Sequence, residues 1–258
     1  MTRTPRLVAL LAGVGLLLLA LPVVALMVRA PWSRLGSLLS SGPSLEALRL
    51  SLVTATAAAL LSAVIGVPLA WVMARSRVRF AALLRAVVTL PLVLPPVVGG
   101  VALLLTFGRT GVVGRPLYEL TGHALPYSTA GVIVAEAFVA MPFLVIAVDG
   151  ALRQSDARHE EVLATLGVPP GRVFTRVTLP LVRSGIGAGL TLAWARALGE
   201  FGATVTFAGS FPGRTRTLPL EVYRQLELDP DAATALAMLL LGVAVVVLVA
   251  LRGRWTQR

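Results

Sequence analysis

Six stretches of this chain run for roughly 20 residues with little or no charge, and that constrains its fold more than any other feature. A helix needs about 20 apolar residues to cross a hydrocarbon core about 30 Å thick. In that solvent the backbone must satisfy its own polar groups, and a helix does so within one segment. Residues 7–28, 50–74, 86–108, 130–148, 184–207 and 232–251 therefore predict an all-α, polytopic membrane protein with six transmembrane helices. A signal peptide is the rival reading of the first run, but its apolar region usually spans only about 7–15 residues. The first run is predicted to be a retained helix. With no internal repeat and no soluble domain in the pattern, residues 1–258 read as one transmembrane domain.

Charge sets the orientation. All 23 basic residues are arginine. With the N-terminus inside, 14 of them flank the inner ends of the spans and 8 the outer ends, with Arg196 inside a span. Basic residues accumulate on cytoplasmic loops, so the chain is predicted N-in and C-in. Arg75, Arg77 and Arg79 close the second span. The net charge of +11 follows from these flanks. No basic run is interleaved with aromatics, so the expected partner is a lipid bilayer and not nucleic acid.

Two spans carry features that a plain membrane anchor would not need. The third holds Pro91, Pro95, Pro96, Gly99 and Gly100. Such breaks survive in a membrane where other helices or a water-filled cavity satisfy the freed backbone groups. This span is predicted to be a broken, pathway-lining helix. The fifth holds Arg196 and Glu200, four apart and able to pair on one face. Gly199 and Gly202 flank them. A charge at that depth should face a partner or water, which makes these four residues candidates for a gate. Glu136 is placed near the outer end of the fourth span, within snorkelling reach of water. Asp149 reads as a solvated helix end.

Enzymic chemistry is not expected. There is no Walker phosphate loop, no Gly-x-Ser-x-Gly elbow and no His-Glu-x-x-His. Cysteine is absent, and His123 and His159 fall on opposite predicted sides, so no metal site is expected. No catalytic residue is assigned. If ATP drives this chain, the ATPase is another chain.

The longest patterned polar interruption is Glu161 to Pro180, inside a predicted cytoplasmic loop of residues 151–183. Val162, Leu163 and Leu166 share one short helical face with His159, and Val173, Phe174 and Val177 share another. Gly167 suits a left-handed helix C-terminus, and Pro169 and Pro170 suit the start of the next helix. The pattern predicts a rigid helix–turn–helix knob.

The spacing of that knob resembles the cytoplasmic loop signature of bacterial ABC-importer permeases. The signature is Glu-Ala-Ala, three residues, Gly, nine residues, then Ile-x-Leu-Pro. Here Glu161, Gly167, Val177, Leu179 and Pro180 stand at the matching positions. Val162 and Leu163 replace the alanines, and Val177 the isoleucine. A second resemblance, over Ala195–Thr204, Phe207–Gly209 and Pro212–Leu220, is to molybdate permease subunits, which are related to sulfate and tungstate permeases.

The resemblance implies the type I ABC-importer permease fold and a homodimer. It also implies two ATP-binding cassette ATPase subunits and an extracytoplasmic molybdate-binding protein. This chain would bind no cofactor, with ATP and Mg on the partner ATPase. Glu161 would support the turn at Gly167, where the ATPase docks. Outer-loop arginines such as Arg214 and Arg216 would attract a dianion or dock an acidic surface. Tungstate or sulfate is the alternative cargo, and an ion-gradient-driven secondary transporter the alternative mechanism.

Overall fold

The structure is a computed structural model that describes residues 5–75 and 81–252. Arg77 and Arg79, expected to close the second span, lie outside the described residues, as do Arg3, Arg254 and Arg258. Every regular element among the described residues is helical.

Helix α1 (Arg6–Val28) has no buried residue and makes its main contact with the last helix. A short α2 (Leu35–Leu39) leads into α3 (Gly42–Arg75), which starts eight residues before the expected span. At 1.5 Å per residue its 34 residues reach about 51 Å, well beyond a hydrocarbon core. The expected third span is two helices, α4 (Ala81–Val93) and α5 (Pro96–Phe107), with 117° between their axes. It is broken as predicted, but it turns back instead of running straight. Pro95 and Pro96 carry no N–H, so no helical ladder bond crosses the break.

A short α6 (Gly114–Thr121) precedes α7 (Thr129–Gln154). Ser128 caps α7, its Oγ accepting from the Gly131 N–H at 3.0 Å. Because α7 runs on to Gln154, Asp149 lies within the helix and not at its end, and Arg153 Nε donates to it at 2.8 Å. The knob comprises α8 (Arg158–Thr165), α9 (Pro170–Val173), a π-helical turn over Phe174–Thr178, and α10 (Leu179–Leu181).

The expected fifth span is also broken. It forms α11 (Arg183–Leu198) and α12 (Gly202–Ala208), separated at residues 199–201. Then come α13 (Leu218–Leu228), within the predicted outer loop, and α14 (Pro230–Arg252). Among the described residues four helices are long and apolar enough to cross a membrane unbroken, or five spans if α4 and α5 count as one. In the fifth expected span the longer piece is α11, whose 16 residues reach about 24 Å.

The core is where α3, α7 and α11 meet. Ala55, Ala58, Ser62, Gly66 and Ala70 recur at helical spacing along the buried side of α3. They face Ala137, Ala140, Leu144 and Val148 of α7 and Ala193 and Ala197 of α11. Lipid offers no hydrophobic drive between helices, so close packing of small side chains holds them. A second cluster, with Leu103, Ala135, Val139, Ala203 and Phe207, packs α5 and α12 onto α7. Both halves of the broken spans are thus fixed to the one long helix.

Candidate functional site

The knob is built by local chemistry. Gly167 has φ +75°, ending α8 in the left-handed conformation that a side chain would strain. Val168 N–H donates to the Leu163 carbonyl at 3.0 Å and Gly167 N–H to that of Ala164 at 3.1 Å. These are the paired bonds of a Schellman turn. Pro170 then starts α9. Farther on, the Leu179 N–H reaches back five residues to the Phe174 carbonyl, producing the π-turn. Pro180 follows at once and has no N–H to give an ordinary helical bond. The Leu-Pro of the sequence signature therefore marks the exit from a wide turn, which spacing alone did not reveal.

Glu161 is exposed, with no side-chain partner among the described residues, so its carboxylate does not support the Gly167 turn. Its neighbour Glu160 is the anchored one, and sequence reasoning missed it. Glu160 Oε2 accepts from Arg75 Nε at 3.2 Å, and Oε1 accepts from Thr178 Oγ1 at 3.0 Å. Arg75 also donates to Ser155 Oγ at 2.7 Å. Beside this node Phe174 meets Trp71 edge-on at 5.4 Å. Val177 lines a cleft with Val162 and Leu163, and Leu179 packs against the main core, while Pro180 is exposed. The tip itself is bare: Val162 is 57% exposed and Leu166 73%. Amphipathic α8 turns part of its apolar face away from its own chain.

The broken spans meet at some of the candidate residues and not at others. Gly202 begins α12 directly against Pro96, and a Cβ there would lie 2.5 Å from the Pro96 Cβ. Gly99 is buried against Phe138, while Pro95 and Pro96 are exposed and Pro91 is half-buried within α4. Arg196 and Glu200 form the expected pair, with the Glu200 side chain 1% exposed and that of Arg196 30%. Glu200 Oε1 also accepts from the Ala203 N–H at 2.8 Å, so one carboxylate binds the arginine and caps α12. Gly199, in the intervening turn, is exposed.

Glu136 does not snorkel. It is 1% exposed and accepts from Thr54 Oγ1 of α3 at 2.9 Å. The early start of α3 and the dense packing of α3 on α7 enclose it. Its Oε2 and the hydroxyl of buried Thr204 have no hydrogen-bond partner among the described residues.

At the other end, Arg214 is exposed and Arg216 is not free. Arg216 Nε and Nη2 donate to Ser210 Oγ and carbonyl at 3.2 Å, and Nη1 stands 3.7 Å from Glu221. Arg224 grips the same carboxylate through two bonds of 2.6 and 2.9 Å, and Gln225 adds a third at 2.8 Å. Burial opposes ionisation of Glu221. The bonds from Arg224 and Gln225 and the charge of Arg216 outweigh it and hold the carboxyl below its ordinary value.

Comparison with known proteins places this geometry. The family model described as the binding-protein-dependent transport system inner membrane component matches residues 66–258. The molybdenum transport system permease protein ModB of Mycobacterium tuberculosis is 51% identical, over 98% of this chain and 96% of that protein. The protein of the same name in Escherichia coli K12 is 39% identical, over 84% and 94%. Among solved structures, a bacterial ABC transporter that imports the acidic polysaccharide alginate matches 97% of this chain and 95% of its own, at 18% identity and a TM-score of 0.74. The MetNI methionine ABC transporter matches 84% and 100%, at 18% identity and a TM-score of 0.61.

Proposed function

The chain belongs to the family of binding-protein-dependent transport system inner membrane components, and from that premise we propose that it is the membrane-spanning permease of an ATP-driven molybdate importer. Its fold is the type I ABC-importer permease fold, and it is a multi-pass membrane protein. The relatives named for molybdenum transport supply the cargo. The permease itself is not an enzyme. Two ATP-binding cassette subunits carry ATP and Mg, a second copy of this chain completes the membrane unit, and an extracytoplasmic binding protein delivers the anion.

The knob within residues 151–183 is the cytoplasmic coupling element. The single observation that carries this is its tip: apolar Val162 and Leu166 exposed on α8, beside a Gly167 turn held rigid by two backbone bonds. A rigid apolar projection fits a groove in a partner. Closure of the ATPase dimer moves the two knobs of the homodimer together. Broken spans α4–α5 and α11–α12 flank the pathway, and rocking of these pairs gives alternating access. Pro95, Pro96, Gly199 and Gly202 shape the breaks, Pro91 and Gly99 lie in the helices on either side of the first one, and Arg196 with Glu200 fixes the second. At the outer face Arg214 is the arginine available to an acidic surface, while Arg216 holds its loop.

The test is Gly167→Asp in the assembled complex in vesicles. It should leave the chain inserted and abolish ATP-dependent uptake of radiolabelled molybdate; normal uptake would overturn the reading. Competition by unlabelled tungstate and sulfate in the same assay decides the cargo. Sulfate blocking uptake better than molybdate would reassign it.

A further inference from the structure

The knob leaves the bundle at the end of α7 and returns at the start of α11. Its neck is thus two chain segments, and what joins them to the bundle decides how it responds to a push. Four residues from four elements meet there. Arg75 is the last residue of α3, Ser155 caps the C-terminus of α7, Glu160 is in the first turn of α8, and Thr178 ends the π-turn. Both oxygens of the Glu160 carboxylate are engaged, one by Arg75 and one by Thr178, so this single group bonds the outgoing segment, the returning segment and α3. Arg75 adds the bond to Ser155. The pair is sheltered, with side-chain exposures of 15% and 11%. Breaking one partner of a sheltered ion pair leaves the other uncompensated, so such a pair holds geometry more firmly than a surface one.

We propose that Arg75 and Glu160 are a positioning pair that stiffens the neck of the knob, so that a displacement at Gly167 moves α3 and the core instead of bending residues 155–157. The proposal rests on the coupling role assigned to the knob. The Glu160 side chain bonds Arg75 and Thr178, neither of them at the tip. It acts by linking the part that is pushed to the helix that packs on α7 and α11.

The experiment uses the complete complex, with ATPase subunits and the molybdate-binding protein, reconstituted in vesicles. ATP hydrolysis and radiolabelled molybdate uptake are read together. Glu160→Gln should assemble and hydrolyse ATP at nearly the wild-type rate, while molybdate taken up per ATP falls about fivefold or more. Arg75→Glu combined with Glu160→Arg should recover most of that ratio. The pair is refuted by an unchanged ratio in Glu160→Gln, or by uptake, hydrolysis and assembly falling in proportion, which is what a purely structural role gives. An assembled charge swap that stays uncoupled also counts against it. Gly167→Asp separates this from its premise. If that variant transports normally, the coupling role fails and takes the pair with it. If it blocks uptake while Glu160→Gln keeps its ratio, only the neck clamp fails.

Discussion

The seam of α3, α7 and α11 and the outward faces of α4 and α5 are both apolar, yet they are built from different residues. On α3 and α11 the seam is rich in alanine, serine and glycine, with Leu144, Val145 and Val148 of α7 packed between them, and almost all of it is buried. The outward faces use larger valine and leucine, such as Val87, Leu90, Val93, Val97 and Leu105, with Val93 81% exposed. Small residues let backbones approach, so the seam is complete within one chain. Large side chains flanking a 117° turn have no counterpart among the described residues, which is the surface expected of a helix pair completed by lipid or a second copy.

If that contrast is right, damage to the seam should unfold the chain and damage to the outward face should not. Arg196→Ala should cost most. It leaves the Glu200 charge buried and alone, at roughly 3 kcal/mol, the low end for a buried pair because Arg196 is partly exposed. The double variant with Glu200→Ala should cost less, but still lose the cap on Ala203. Denaturation of the purified chain in detergent measures both, and equal losses would break the pair. Ala58→Leu overpacks a fully buried site and should cost about 1–3 kcal/mol in the same assay. Glu136→Ala should cost about 1–2 kcal/mol by removing the acceptor of Thr54, and Glu136→Gln less than about 1 kcal/mol. Val93→Ser with Val97→Ser should leave monomer stability within about 0.5 kcal/mol while weakening self-association seen by cross-linking. Loss of stability without loss of association would reverse the comparison. Glu119→Gln, in an exposed pair with Arg115, should shift stability by about 0.3–0.5 kcal/mol at most.

Features set by local pattern were legible before the structure. Gly167 and Pro170 form the turns their types demand, and Arg196 and Glu200 pair because four residues is about one helical turn. What depended on distant chain was not legible. Glu160 and Glu161 are adjacent carboxylates, and their roles are separated by Arg75, 85 residues upstream, and Thr178, 18 residues downstream. Glu136 was placed by counting along its own span, whereas Thr54 on α3 decides its surroundings. Three prolines announce a break in the third span, but the angle comes from the packing of Gly99 and Gly100 against α7 and α12. Arg216 reads as available because Glu221, in the first turn of the helix that follows it, carries no local signature of burial.

The break at Pro95 has a kinetic meaning as well as a geometric one. Two successive imides leave the joint between α4 and α5 with no ladder hydrogen bond to rupture, since Leu94 N–H bonds backward to Leu90 and Gly99 N–H bonds only as far as Pro95. Changing the angle there costs torsion at Leu94 and repacking, without the slow step of exposing amides to hydrocarbon. With α5 held to α12 through Pro96 and Gly202, and both packed on α7, the resistance to turning at this joint lies in side-chain packing and not in helical hydrogen bonds.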